Sequence, residues 1–414
     1  MKDEELRALE CEVESHPSAD ACLRLARALE RVGRQAEVPA VLRRGVAHGE
    51  VRRALASLVW DTAGGPGTTS TSSVRPLVAP HVLWTQRASR PRSSHGLIAS
   101  SSVVGRIDSD ARAFVLDAAT GAPLWTVPDH VRSAWTLPMG EALVFVNRNR
   151  LRGFDPRTGR IAWDLPLHPR STVTTCDGDG LVVSTLKDVR FLRIEDPSAP
   201  PIQVWRAELD LPPGSRVSHA TAKCRGGLVV VQGAGDPVVL DAVTGARRFT
   251  TERRVVAVDE GGVITSDGPP PKLLALDAQG KPLPFYEGPA KLVALHPDFA
   301  VVRQHTTTYP HYAQPMLLVV DRRTGEKRDL GVAALGSSGE AVIAADQLHL
   351  LCPRPGAPEL STVVALGLDG ARRWRLELDL PPSEAVDSLA VTSGRLYACT
   401  NRSTVLAIGD RTTA

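Results

Sequence analysis

The chain has 414 residues, with 49 Lys and Arg against 46 Asp and Glu, a net charge of +3 and 43% hydrophobic residues. So weak a field demands neither nucleic acid nor an anionic membrane as partner, and no run approaches the ~18 apolar residues of a spanning helix. Six cysteines, at 11, 22, 176, 224, 352 and 399, show no CxxC spacing; structural zinc and a thioredoxin-like centre are poorly supported, and thiols inside apolar strands read as buried and free.

From the start, residues 3–15 carry Leu6, Ala8 and Val13 among acids, an amphipathic helix stopped at His16-Pro17. Ser18 caps a second helix whose apolar face is Cys22, Leu25, Ala26 and Leu29. After Gly33 a third helix runs through Val38, Val41, Leu42 and Val46, and after Gly49 a fourth through Ala54, Leu55, Leu58 and Val59. The middle pair resembles a tetratricopeptide hairpin, with Ala26, Leu29, Gly33 and Leu42 near that family's small and large positions; a generic helical cap or dimerisation element is the alternative. The acidic start lacks an apolar core and a cleavage site, so a signal peptide is not expected and the cytoplasm is the expected location. Residues 61–76 are a Gly/Pro/Thr/Ser run that cannot pack. The expected organisation is a helical part over 1–62, a tether over 63–78 and a third part over 79–414.

That third part is built on one recurring stretch. Asp117, Thr120 and Gly121 are followed by Trp125; Asp155, Thr158 and Gly159 by Trp163; Asp241, Thr244 and Gly245 by Phe249; Asp277 and Gly280 by Phe285. Asp321, Thr324 and Gly325 repeat the turn without an aromatic, and weaker copies precede Trp205 and Trp374. Each follows an apolar, β-branched run, a hairpin signature. Successive copies stand roughly 36 to 46 residues apart, the period of four-stranded propeller blades.

Counting the turns predicts a mainly β fold, an eight-bladed β-propeller, with seven blades as runner-up if the weak copy near 198 is an insertion. The strand at 404–408 reaches a turn with no fourth strand behind it, while 82–86, with Trp84, is a fourth strand with no blade before it. Joining the two closes the ring from both termini and removes the open edges.

The turns and tryptophans resemble the PQQ-like (quinoprotein-type) β-propeller repeat family. The resemblance implies that Trp84, Trp125, Trp163, Trp205 and Trp374 pack between blades and that the turn Asp and Thr side chains satisfy local backbone groups. It implies little chemistry. The adjacent cysteines of several quinone-dependent dehydrogenases are missing, and the expected entry is a non-enzymatic branch with no cofactor. No serine sits in a nucleophile elbow, and Asp177-Gly-Asp-Gly180 reads as a hairpin turn rather than a calcium loop. No catalytic, cofactor-binding or metal residues are therefore assigned.

Function is sought where the repeat is broken. Residues 303–315, RQHTTTYPHYAQP, lengthen one second-to-third-strand loop, and 353–358 lengthen the next. Arg303, His305, Tyr309, His311, Tyr312 and Arg354 are the candidate interaction residues, because exposed aromatics and arginines on a rigid scaffold suit protein interfaces. These loops share a face with the links between blades. The expected function is a non-catalytic scaffold for one or more proteins, with no nucleic acid or membrane partner. The alternatives are a small-ligand or glycan sensor in the central channel and a quinone-dependent dehydrogenase.

Overall fold

The computed structural model describes residues 3–16, 18–32, 41, 76–87, 94–100, 102–108, 111–127, 131–136, 143–147, 149–176, 180–209, 220–233, 235–259, 261–268, 272–286, 288–296, 298–304, 316–330, 341–344, 347–353, 360–392 and 394–410. Two helices come first, α1 (Asp3–Ser15) and α2 (Ala19–Arg31). Ser18 Oγ accepts a hydrogen bond from the Ala21 amide at 3.2 Å, satisfying one of the free donors at the start of α2. Leu6, Val13, Cys22, Leu25, Ala26 and Leu29 form their shared core. Of the expected third helix only Val41 is described, helical and buried in the same cluster; the expected fourth helix and most of the tether lie outside the described residues. Leu77, expected in the tether, is instead buried among side chains of the propeller, because an apolar side chain beside the closing blade finds a core to enter.

The propeller strands follow. A lone strand β1 (His81–Gln86) precedes blade 1, which is β2 (Ser94–Ala99), β3 (Val103–Asp108), β4 (Ala113–Asp117) and β5 (Pro123–Val127). Blade 2 is β6 (Val131–Thr136), β7 (Leu143–Asn147), β8 (Arg150–Phe154) and β9 (Ile161–Pro166). Blade 3 is β10 (Thr172–Cys176), β11 (Gly180–Ser184), β12 (Asp188–Arg193) and β13 (Ile202–Glu208). Blade 4 is β14 (Thr221–Arg225), β15 (Leu228–Gln232), β16 (Val238–Asp241) and β17 (Arg247–Thr250). Blade 5 is β18 (Arg254–Asp259), β19 (Gly262–Asp267), β20 (Lys272–Leu276) and a two-residue β21 (Pro282–Leu283). Blade 6 is β22 (Ala290–Leu295), β23 (Phe299–Gln304), β24 (Leu317–Asp321) and β25 (Lys327–Asp329). Blade 7 is β26 (Ala341–Ala344), β27 (Gln347–Pro353), β28 (Leu360–Gly367) and β29 (Arg372–Glu377). Blade 8 is β30 (Val386–Thr392), β31 (Arg395–Thr400) and β32 (Val405–Gly409), with β1 as its outer strand.

Eight sheets of four antiparallel strands result, and the count is eight, not seven. Closure is the pairing of β1 with β32, from His81 opposite Gly409 to Gln86 opposite Val405. Buried apolar clusters fill the gaps between neighbouring blades, since a sheet with two apolar faces must cover both.

The cysteine expectation needs one correction. Cys176 ends β10 and Cys224 lies in β14, the inner strands of adjacent blades; their Cα atoms are 4.8 Å apart and the two form a disulfide. A separation of 48 residues, one blade period, hides this pair from any local spacing rule. The other four cysteines form no disulfide: Cys22 and Cys399 are buried, Cys352 is half-buried and Cys11 is exposed.

Candidate protein-interaction face

Antiparallel pairing sorts the connections onto two faces. On one, the turn face, lie the Asp-x-x-Thr-Gly turns and the hairpins that follow each inner strand. The other, the entry face, holds the starts of the inner strands, the ends of the second strands and the second-to-third-strand loops.

The turn face is sealed by a repeated device. Asp117 Oδ1 accepts hydrogen bonds from the Ala119 and Thr120 amides and from Thr120 Oγ1 at 2.8–3.0 Å. Asp155, Asp241 and Asp321 accept the same pair of backbone amides. These bonds stabilise the ionised carboxylates. Asp117 is held below the ordinary range first by the Thr120 hydroxyl, and Asp155 and Asp321 first by the amides of Thr158 and Thr324. At Asp241 burial pushes the other way but is outweighed by Arg248 and Thr244.

Each aromatic serves the next blade's turn rather than its own. The indole N–H of Trp84 donates to the Ala118 carbonyl, Trp125 to Pro156, Trp163 to Pro197 and Trp205 to Ala242, at 2.8–3.2 Å. The turn glycine lies against that ring. A Cβ on Gly121 would stand 2.6 Å from the Trp84 ring, and one on Gly159 the same distance from Trp125. Arg395 Nη1 and Tyr397 Oη also donate to the Ala118 carbonyl, so three side chains of the closing blade grip blade 1.

Where the tryptophan is missing, another latch takes over. Phe285 brings no donor to the seam between blades 5 and 6. There the Arg322 guanidinium forms a bidentate ion pair with Asp259, both side chains being 5% exposed or less. Trp374 has a different problem. In blade 8 no turn joins β32 to its outer strand β1, and the Trp374 N–H, buried, has no partner among the described residues.

On the entry face the second strands end in Asp108, Asn147, Ser184, Gln232, Asp267, Gln304 and Thr400, with only Pro353 breaking the rule. Several of these brace the following blade. Gln232 exchanges two hydrogen bonds with the Val255 backbone (2.8 and 3.1 Å), and Ser184 Oγ donates to the Ala220 carbonyl (3.1 Å). A polar residue closing an apolar run is the sequence signal for these braces, one that motif spacing does not carry.

Of the candidate interaction residues, only Arg303 lies within the described part. It is half-buried near the end of β23, opposite Lys291 of β22, and burial lowers its pKa. The ladder continues past it to the Gln304 amide, which donates to the Met316 carbonyl at 2.9 Å, with the Met316 side chain exposed. His305, Tyr309, His311, Tyr312 and Arg354 lie outside the described residues, as does the hairpin at 177–179.

The charges on this face are uneven. Asp188, buried, is paired with Arg190 and Arg206 and accepts from Thr185 Oγ1; Asp267 is paired with Arg253. Against this, Lys223, Arg254 and Lys291 stand within the first three residues of the inner strands of blades 4, 5 and 6. Lys223 Nζ donates to the Val256 carbonyl, and burial, then the nearby Arg254, hold its pKa below the lysine range. Arg254 and Lys291 are exposed and make no ion pair among the described residues. No cluster of three or more His, Cys, Asp or Glu among the described residues could hold a metal, and none of the described helices is long and apolar enough to cross a membrane.

A family model described as outer membrane protein assembly factor BamB matches residues 71–190. Among solved structures, BamB from Moraxella catarrhalis superposes with a TM-score of 0.51 at 16% identity, over 80% of this chain and 100% of that one. Sqt1 from Saccharomyces cerevisiae gives 0.53 at 11% identity, over 79% and 98%, and the computationally designed Ika8 protein gives 0.55 at 13%, over 83% and 99%. No curated protein matches the chain. The PQQ-like, BamB-type repeat is thus present, and at these identities the structural likeness establishes the propeller fold alone.

Proposed function

We propose that this protein is a non-catalytic scaffold that binds one or more other proteins through the entry face of its propeller. The contrast between the two faces carries the reading. The turn face is consumed by the Asp, Thr, Gly and Trp latches that hold blades together, whereas the entry face bears the lengthened 303–315 connection, an exposed Met316 and cations without acidic partners among the described residues. The matched family is described as an assembly factor for outer membrane proteins, a description of a protein that works on other proteins. A quinone over calcium needs converging carboxylate and amide oxygens. The first three residues of the described inner strands hold four cations, Arg132, Lys223, Arg254 and Lys291, and one carboxylate, Asp387, which does not supply that set.

A cytoplasmic location is part of the same proposal, and the Cys176–Cys224 pair tests it, because a reducing cytosol keeps such pairs as thiols. Affinity capture from native cells tests the scaffold itself, comparing the wild-type chain with Tyr309→Ala/Tyr312→Ala. A partner retained by the first and lost from the still-folded second supports the reading. If neither form retains any protein, the reading is overturned.

A further inference from the structure

We propose that residues 411–414 are a latch that docks in the seam between blades 7 and 8, with the Arg411 carbonyl accepting the Trp374 indole N–H. The register of the repeat carries this. Trp84, Trp125, Trp163 and Trp205 each donate to the carbonyl one residue past an aspartate of the following blade: Ala118 past Asp117, Pro156 past Asp155, Pro197 past Asp196 and Ala242 past Asp241. Blade 8 follows Trp374. Its aspartate in that frame is Asp410, directly behind β32, and one residue past it is Arg411. The stretch reads Asp410-Arg-Thr-Thr-Ala414 against Asp321-Arg-Arg-Thr-Gly325, so aspartate and threonine keep the spacing of the turn.

The docking place is described by its surroundings. The Trp374 side chain is 7% exposed, and its N–H makes no hydrogen bond among the described residues, which is a costly state for a buried donor. It lies in one apolar cluster with Leu77 and Ile408, with Val82 packed against them, so the ring sits beside both segments that flank Asp410. The Asp410 carboxylate accepts from the Val78 and Ala79 amides at 2.8–3.2 Å, as Asp117 accepts from Ala119 and Thr120. Register explains the exchange. His81 opposite Gly409 corresponds to Pro123 opposite Leu116, which puts Val78 and Ala79 where Thr120 and Gly121 stand in blade 1. The eighth turn is therefore split: the strap before β1 supplies its amides, and the carbonyl behind the aspartate is left to Arg411. A cavity of about 490 Å³ adjoins the split, lined by Val78, Ala79, His81 and Asp410.

The strap offers no substitute acceptor, since the Leu77 carbonyl accepts from Gln347 Nε2 instead. Arg411 is bonded to Asp410, so its carbonyl reaches the seam without a long loop to close. One residue departs from the repeat. Gly121, Gly159 and Gly245 have φ of 68–73°, and a Cβ on any of them would stand 2.6–2.7 Å from the ring of the preceding blade's tryptophan. Ala414 brings such a Cβ, which makes this copy of the turn the weakest. What it latches is ring closure, because β1 and its strap are held to β32 by pairing and by Asp410 rather than by a connecting turn.

The test compares the full-length protein with a chain stopped after Asp410, each with and without Trp374→Phe, by urea unfolding. Removing 411–414 lowers the folded-to-unfolded ratio of the otherwise wild-type chain about fivefold, the worth of one net hydrogen bond. In the Trp374→Phe background the same removal changes nothing, because no donor is left to lose. Ala414→Gly, which takes away the obstructing Cβ, moves the midpoint upward. A second measurement needs no tryptophan variant: of the seven tryptophans, truncation shifts one indole N–H resonance in the two-dimensional NMR spectrum and leaves the others in place. Equal losses in both backgrounds, no loss in either, a lower midpoint for Ala414→Gly, or an indole spectrum unchanged by truncation each overturns the proposal.

Discussion

Blade 7 carries a histidine whose protonation should be visible in the stability of the whole propeller. His349 of β27 lies in register with Ala365 and, through it, Trp374, whose ring centroid is 5.4 Å away. It is 2% exposed, and neither ring nitrogen makes a hydrogen bond of good geometry among the described residues, the Val342 backbone being a weak neighbour only. Burial therefore pulls its pKa from 6.5 down to about 4, with the Val342 backbone pulling the other way. For a base with a depressed folded value, the unfolded chain binds the extra proton, so stability falls as pH drops through 6.5 and levels off near 4. With those two values the loss between pH 7.5 and 4.5 is about 2–3 kcal/mol. His349→Leu removes the titration and two unsatisfied nitrogens while keeping an apolar side chain of similar size, so it should be nearly neutral at pH 7.5. Urea unfolding of both proteins at pH 7.5, 6 and 4.5, followed by tryptophan fluorescence, measures the gap; carboxylate effects are common to both and cancel. Parallel pH profiles would refute the reasoning and place a compensating partner beside the ring.

Three further outcomes follow from the same structure. Asp259→Ala strands the Arg322 guanidinium in the seam between blades 5 and 6 and should cost about 3–5 kcal/mol in denaturant unfolding, whereas Asp259→Leu/Arg322→Met should recover most of it. Gly121→Ala imposes both a positive φ of 73° and a clash with Trp84, for a loss of about 2–4 kcal/mol, while Gly394→Ala, with φ of 79° and open space, should lose about 1 kcal/mol; equal losses would show that the ring gives way. Alkylation of the denatured, unreduced protein followed by mass spectrometry should label Cys11, Cys22, Cys352 and Cys399 and spare Cys176 and Cys224; six labelled thiols from rapidly quenched cells would show that the pair is reduced where the protein works.

Much of the fold was written locally. A turn that needs Asp to bind its own amides and Gly to take a positive φ recurs at Asp117, Asp155, Asp241 and Asp321 whatever surrounds it. Alternating apolar runs and turns specify strands, their spacing specifies blades, and the unmatched strand at each end specifies closure. Such features depend on residues a few positions apart, so the chain displays them in order.

What only the tertiary structure decided involves partners one blade period or more away. That Trp125 serves the turn of Asp155 rather than its own, that Asp259 answers Arg322 and that Cys176 meets Cys224 all follow from laying blades side by side. The physical reason is common to all of them: within a blade the backbone ladder dictates neighbours, but between blades side chains do, and their partners lie tens of residues away, where no local spacing rule pairs them.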